Sequence, residues 1–199
     1  MEKHTKISMR KSVKKVLSSL TESQRCEKSL KVLGQLESLI FGGELSKIKS
    51  SVLGVFAPLH DEVDWLQSER LKTLKTAFPY WTESPIEIKG FSQVEFHKLS
   101  AEIRFDREAL MPDGSNGSKD LNFLNSSQMP ALLVPGLAFT GEGRRLGRGK
   151  GFYDRYLENY DGIKIGLCFY EQIMETLPFD EHDQKMDYVV TEDKVFAAK

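Results

Sequence analysis

Apolar positions along the chain change their period several times, and each change marks an element. Met9, Val13, Val16, Leu17 and Leu20 recur at three- and four-residue intervals, which predicts an amphipathic helix whose other face carries Lys6, Arg10, Lys11, Lys14 and Lys15. Thr21-Glu22-Ser23-Gln24 has the form of a capping box opening a second helix, which turns Cys26, Leu30, Leu33 and Leu36 inward and ends at Gly42-Gly43. Residues 51–57 (SVLGVFA) are apolar and β-branched without alternation, the pattern of a strand covered on both faces, and Pro58 stops it. A helix through Leu66, Leu71 and Leu74 is expected next, with Asp61 as its cap; on this reading Asp61 and Asp64 carry no further role. Strands follow at 78–81, 86–91 and 94–99, the last two as a hairpin turning at 90–93.

Residues 112–119 (PDGSNGSK) cannot contribute to a core and predict a mobile surface loop. Beyond it the alternation of strand and helix resumes: a strand at 131–134, a helix carrying Phe152, Tyr153, Tyr156, Leu157 and Tyr160, a buried strand at 164–170, a short helix at 171–177 and a last strand at 188–191. The pattern predicts an α/β fold, one domain over residues 1–199, with a mainly parallel central sheet, helices on both faces and an N-terminal helical pair.

Composition narrows the chemistry. The 199 residues suffice for one buried core, and a net charge of −1 argues against a general affinity for nucleic acid or acidic membranes. Two cysteines, Cys26 and Cys168, are too few for a disulfide framework and lack metal-ligand spacing. The polar N-terminus and the absence of any long apolar run suggest a cytoplasmic protein.

Against this neutral background, residues 141–151 (GEGRRLGRGKG) set four cations, Arg144, Arg145, Arg148 and Lys150, among five glycines. Placed between a strand and a helix, such a loop offers backbone N–H groups and positive side chains to an anion. It is not a Walker loop, because Arg144 stands at the first glycine position and Gly151 where a hydroxyl is needed. Nor is it a dinucleotide fingerprint, since Phe152 occupies the third glycine position. With no serine elbow, HExxH or Cys/His cluster, what remains is charge-driven phosphoryl or nucleotide chemistry, with a carboxylate to hold magnesium. Asp154, in the first turn after the loop, either fills that role or merely complements the helix dipole and pairs with Arg155. Lys6 and Arg10, four residues apart, could reach one ligand together. A nucleic-acid binder using the basic loop is the alternative from another class, disfavoured by the near-neutral charge.

Pro135-Gly136-Leu137-Ala138-Phe139, Gly143 and then residues 145–155 (RLGRGKGFYDR) closely resemble the signature of the 5-formyltetrahydrofolate cyclo-ligase family. Lys6-Ile7-Ser8-Met9-Arg10 resembles that family's N-terminal Lys-x-x-x-Arg helix, residues 57–62 its folate-contacting strand end, and residues 183–191 its C-terminal aspartate segment. The resemblance implies an ATP- and Mg²⁺-dependent ligase that converts 5-formyltetrahydrofolate to 5,10-methenyltetrahydrofolate with release of ADP and phosphate, acting as a monomer on small molecules alone. By position it implies ATP contacts from Lys6, Arg10, Arg145, Leu146, Gly147, Arg148, Gly149, Lys150, Gly151, Phe152 and Tyr153. Arg148 and Lys150 would stabilise the γ-phosphate and Tyr153 would pack on the substrate. Ala57 and Glu62 would contact the folate, and Asp154 and Asp187 the magnesium, with Asp183 the rival of Asp187. The chain departs from the family pattern at Trp65, Tyr80 and Thr140, which keeps open a catalytically degenerate homologue that binds folate or nucleotide without turnover.

Overall fold

The computed structural model describes residues 5–43, 45–81, 88–94, 123–124 and 127–198. The loop expected at 112–119 and the strand expected at 94–99 beyond Val94 lie outside them. Two helices open the chain, α1 (Lys6–Ser19) and α2 (Glu22–Gly42). Thr5 caps α1 by accepting the Ser8 N–H at 3.2 Å, and Thr21 and Gln24 form the reciprocal capping box of α2. The inward face of α2 is Ser29, Val32, Leu33, Leu36 and Ile40, not the face through Cys26 and Leu30; Leu30 is 53% exposed. Burying Ser29 is compatible with an apolar stripe because its Oγ accepts the Asp64 N–H at 3.1 Å.

The strands are β1 (Val52–Gly54), β2 (Lys75–Trp81), β3 (Ile88–Val94), β4 (Phe123–Leu124), β5 (Ala131–Pro135), β6 (Ala138–Phe139), β7 (Arg145–Leu146), β8 (Ile163–Leu167), β9 (Tyr188–Val190) and β10 (Val195–Ala197). Eight form one sheet in the order β10-β9-β8-β5-β1-β2-β3-β4, and β6 pairs with β7 apart from it. The five strands from β9 to β2 are parallel; β10, β3 and β4 add antiparallel edges. Successive side chains alternate between two cores. Leu53, Ala131, Leu133, Ile165 and Val190 face the side covered by α1 and α2, whereas Val52, Leu132, Val134 and Val189 face the side covered by α3 (Phe152–Leu157). Both faces are thus apolar, which is why these strands lack alternation in the sequence.

Several expectations are corrected. No α-helix runs through Leu66, Leu71 and Leu74. Two 3₁₀ turns, Trp65–Gln67 and Leu71–Thr73, stand there, each opened by a side chain that accepts a backbone N–H: Asp64 from Leu66 at 3.2 Å, and Ser68 from Leu71 at 2.9 Å. The cap is therefore Asp64 rather than Asp61. The hairpin is β2 with β3, and residues 90–93 continue straight through β3. The helix expected at 171–177 is a single 3₁₀ turn at Tyr170–Gln172, and the last strand is β10. Among the described residues no helix is long and apolar enough to cross a membrane.

The turn that leads into the basic loop depends on Gly143, whose φ is +83°. A Cβ there would lie 2.2 Å from the Met186 carbonyl oxygen, so Gly143→Ala combines an unfavourable backbone conformation with a collision against backbone. It is expected to destabilise the protein by at least about 2 kcal/mol, read as a lower urea midpoint at unchanged slope. Gly34→Ala in α2, where a Cβ meets nothing within 4 Å, should instead stabilise by about 0.5–1 kcal/mol. If the two shifts had the same sign, this account of the turn would fail.

Candidate active site

Chain order around the sheet centre places the site. From β1 the chain moves to β2 on one side, while β5 lies on the other side and leads on to β8 and β9. The connections leaving the carboxyl ends of β1 and β5 therefore diverge, and ligands of open α/β sheets bind where they part. The β1 connection carries Ala57, Asp61 and Glu62; the β5 connection carries the glycine-rich basic loop.

The two connections are joined by Arg148. Its Nε–H donates to Glu62 Oε1 at 3.0 Å, and its Nη2 lies 2.5 Å from Asp61 Oδ1 and 3.0 Å from Glu62 Oε1. Glu62 Oε2 accepts the Leu59 N–H at 3.0 Å. Burial raises the Glu62 pKa, against the opposing pull of Arg148 and the Leu59 amide. Both oxygens nevertheless act only as acceptors, which is the arrangement of a carboxylate paired with a guanidinium. Burial also works against the charge of Arg148, but Asp61 and Glu62 outweigh it and raise its pKa.

Arg145 forms the floor of the loop. It is 5% exposed, donates through Nη1 to the Pro135 carbonyl at 3.0 Å and through Nη2 to Asp154 Oδ1 at 2.6 Å. Its Nε is buried without a partner among the described residues. Gly147 passes so close above that a Cβ would come within 3.0 Å of Nη1. Tyr153 lies beneath the same guanidinium at 5.6 Å, and burial, followed by the Glu62 charge, pushes its pKa far up despite the opposing Arg145. Burial thus favours the neutral phenol. Asp154 pairs through Oδ1 with Arg145 rather than with Arg155, and Oδ2 has no partner among the described residues.

From the far end of the chain, Arg10 on α1 reaches the loop, its Nε–H donating to the Gly147 carbonyl at 2.9 Å. Lys6 does not follow it: Nζ is held by Asp180 at 2.7 Å and Asp183 at 2.5 Å. Burial works against the Lys6 charge, but hydrogen bonds to Asp180 and Asp183 outweigh it and raise its pKa. Lys150 is exposed, between Gly149 at φ +105° and Gly151 at φ +68°, its ammonium 5.7 Å from the Phe152 ring. Leu146 is buried in the core, and its carbonyl accepts the Leu137 N–H at 2.8 Å.

Asp187 immediately precedes β9. Its Oδ2 accepts the Lys164 N–H at 2.7 Å, level with Leu132 and three residues before Pro135 in the parallel register, about 10 Å along the strands. Asp61 and its grip on Arg148 escaped the sequence reading, since nothing local links positions that the fold alone brings together. Two departures from the family pattern have clear local roles. Trp65 is fully buried, its indole N–H donating to the Phe56 carbonyl at 2.7 Å, and Thr140 Oγ1 accepts the Arg144 N–H at 3.2 Å at the start of the loop. The third, Tyr80, has no described side chain.

The pattern of the 5-formyltetrahydrofolate cyclo-ligase family matches residues 2–192. The 5-formyltetrahydrofolate cyclo-ligase of Mus musculus is 43% identical over 76 residues, 35% of this chain and 37% of that one. That of Saccharomyces cerevisiae is 34% identical over 108 residues, 49% of this chain and 50% of that one. These matches thus span about a third to a half of the curated relatives' length. The solution structure of the Aquifex aeolicus 5,10-methenyltetrahydrofolate synthetase superposes with a TM-score of 0.74 at 31% identity, covering 98% of this chain and 93% of that one. With the family pattern running through every element that builds the site, the chain belongs to the 5-formyltetrahydrofolate cyclo-ligase family.

Proposed function

We propose that this protein converts 5-formyltetrahydrofolate to 5,10-methenyltetrahydrofolate at the expense of ATP, releasing ADP and phosphate. The observation that carries the reading is the junction of the two connections: a cation-rich, glycine-rich loop suited to a triphosphate meets a buried Glu62 suited to the amino group and ring N–H of a pterin.

The chemistry asks for alignment and charge neutralisation. A formyl oxygen is a weak nucleophile, and as hydroxide it is a poor leaving group. Its attack on the γ-phosphorus breaks the bond to ADP and turns that oxygen into part of a phosphate ester. N10 then closes on the activated carbon, the carbon–oxygen bond breaks, and the N10 proton leaves with the phosphate. No protein nucleophile is needed. Arg148 and Lys150 neutralise charge on the transferred group, Arg10 fixes the Gly147 backbone beside it, and Tyr153 and Ala57 pack on the folate. Holding both substrates in line can supply roughly 10 kcal/mol.

Among the described residues, no three His, Cys, Asp or Glu side chains come together for a metal. That suits magnesium, which rides on nucleotide phosphates and takes only one or two protein carboxylates. Asp154 would hold it through Oδ2, and Asp187 has Oδ1 to offer; bound there, the ion would screen the phosphate charge. Purified protein with ATP, magnesium and 5-formyltetrahydrofolate is expected to generate the absorbance of methenyltetrahydrofolate in proportion to the ADP formed. Nucleotide and folate binding without any product would reject the enzyme and leave a binding protein.

A further inference from the structure

Arg148, a cation that the nucleotide needs, is committed elsewhere. Its guanidinium sits on Asp61 and Glu62, whose side chains are only 11% and 6% exposed, whereas Arg148 itself is 31% exposed. Moving it to a triphosphate would leave two adjacent carboxylates buried without counter-charge, an arrangement that strongly disfavours ionisation of both. The backbone offers little relief, since Leu59 supplies one N–H to Glu62 and no described backbone N–H reaches Asp61. Arg148 is therefore released cheaply only when other donors arrive at the carboxylates. The pterin ring brings such donors to Glu62.

We propose that Asp61 is a positioning residue: together with Glu62 it holds Arg148 on the folate side of the site, and folate binding releases that side chain to the nucleotide. The two substrates then bind cooperatively through one shared guanidinium. Asp61 adds a contact at 2.5 Å to the two that Glu62 makes at 3.0 Å, so Arg148 is held by both carboxylates and loses part of that hold when either is neutralised. This inference rests on the ligands assigned above. It adds an order of events that neither ligand site requires by itself.

The test is calorimetric titration of the full-length chain with the non-hydrolysable imido analogue of ATP plus magnesium, with and without saturating 5-formyltetrahydrofolate. In the wild type, folate is expected to tighten nucleotide binding about tenfold, and by linkage nucleotide should tighten folate equally. In Asp61→Asn, nucleotide alone should bind more tightly than to the wild type, and the coupling should fall below about twofold. Asp61→Glu should restore it. Independent binding in the wild type, or undiminished coupling in a folded Asp61→Asn, overturns the proposal. Should Asp61→Asn fail to fold, the wild-type coupling alone decides. If neither ligand binds under any condition, it is the assignment of ligands that fails, and this proposal with it.

Discussion

Lys150→Ala is expected to lower kcat by about 10²- to 10³-fold while changing folate affinity by no more than about twofold. Lys150 is a clean site for this test because it does little for the fold. It is exposed, forms no ion pair with any described carboxylate, and its ammonium lies 5.7 Å from the Phe152 ring. What it gains is position. Gly149 and Gly151 on either side adopt positive φ, so the backbone turns sharply around Lys150 and presents its side chain beyond the loop. A cation placed to meet charge that develops on a transferred phosphoryl group acts more on the transition state than on bound substrate, and its loss appears in kcat. Steady-state kinetics together with direct folate titration separate the two effects. Equal losses in turnover and folate affinity would mean that the loop holds the folate, and the division of roles proposed above would have to be reversed.

Arg145→Ala should be the most damaging single change to stability within the loop, at about 3 kcal/mol. Its guanidinium binds the Pro135 carbonyl at the end of β5 and Asp154 at the start of α3, and it supports Gly147 from below. Truncation leaves the partly buried Pro135 carbonyl without this donor and Asp154 without its counter-ion. The Asp154 side chain is 25% exposed, so water recovers part of the second loss, which keeps the figure at the low end for a broken buried pair. Arg145→Lys should rescue little of it, because a single nitrogen cannot stand at the positions of both Nη1 and Nη2, which the planar fork sets against separate acceptors. Urea unfolding measures the difference. A loss under about 1 kcal/mol would show that Arg145 is held in place by the loop and does not itself organise it.

The parallel centre of the sheet was legible in the sequence because both of its faces are buried. Leu132 and Leu133 point to opposite sides and are equally covered, so residues 131–134 form an unbroken apolar run. Elements at the margin were not. Leu66, Leu71 and Leu74 mimic helical spacing, but Asp64 and Ser68 capture the backbone N–H groups that a continuous helix would need, and two short turns result. Gly90 and its polar neighbours suggested a turn inside β3, yet an antiparallel strand toward the sheet edge accommodates them in register. In α2 the stripe was right at Leu33 and Leu36 but wrong in the first turns, where Ser29 is buried in place of Leu30 because its hydroxyl has a partner in the Asp64 amide. At the site, local chemistry identified the loop as an anion cradle. Which cation faces which carboxylate was not readable, since Arg148 and Glu62 lie 86 positions apart and only the sheet order brings them together.

That same separation governs when the site can come into being. The loop is secured from behind by Arg10, 137 positions earlier, while the Met186 N–H donates to the Gly143 carbonyl at 2.8 Å from beyond α3. Lys6 and Asp183, 177 positions apart, tie the two flanking segments to each other. Closing such long loops must precede any reward from the contacts they make, which slows the step that completes them. During synthesis, a nascent chain that has emerged only as far as residue 157 would already contain every residue of the basic loop and α3, but none of the segment that pins Gly143. Competence should therefore arrive late and abruptly, after β9 has docked, and a ribosome-bound intermediate of that length should not yet handle nucleotide.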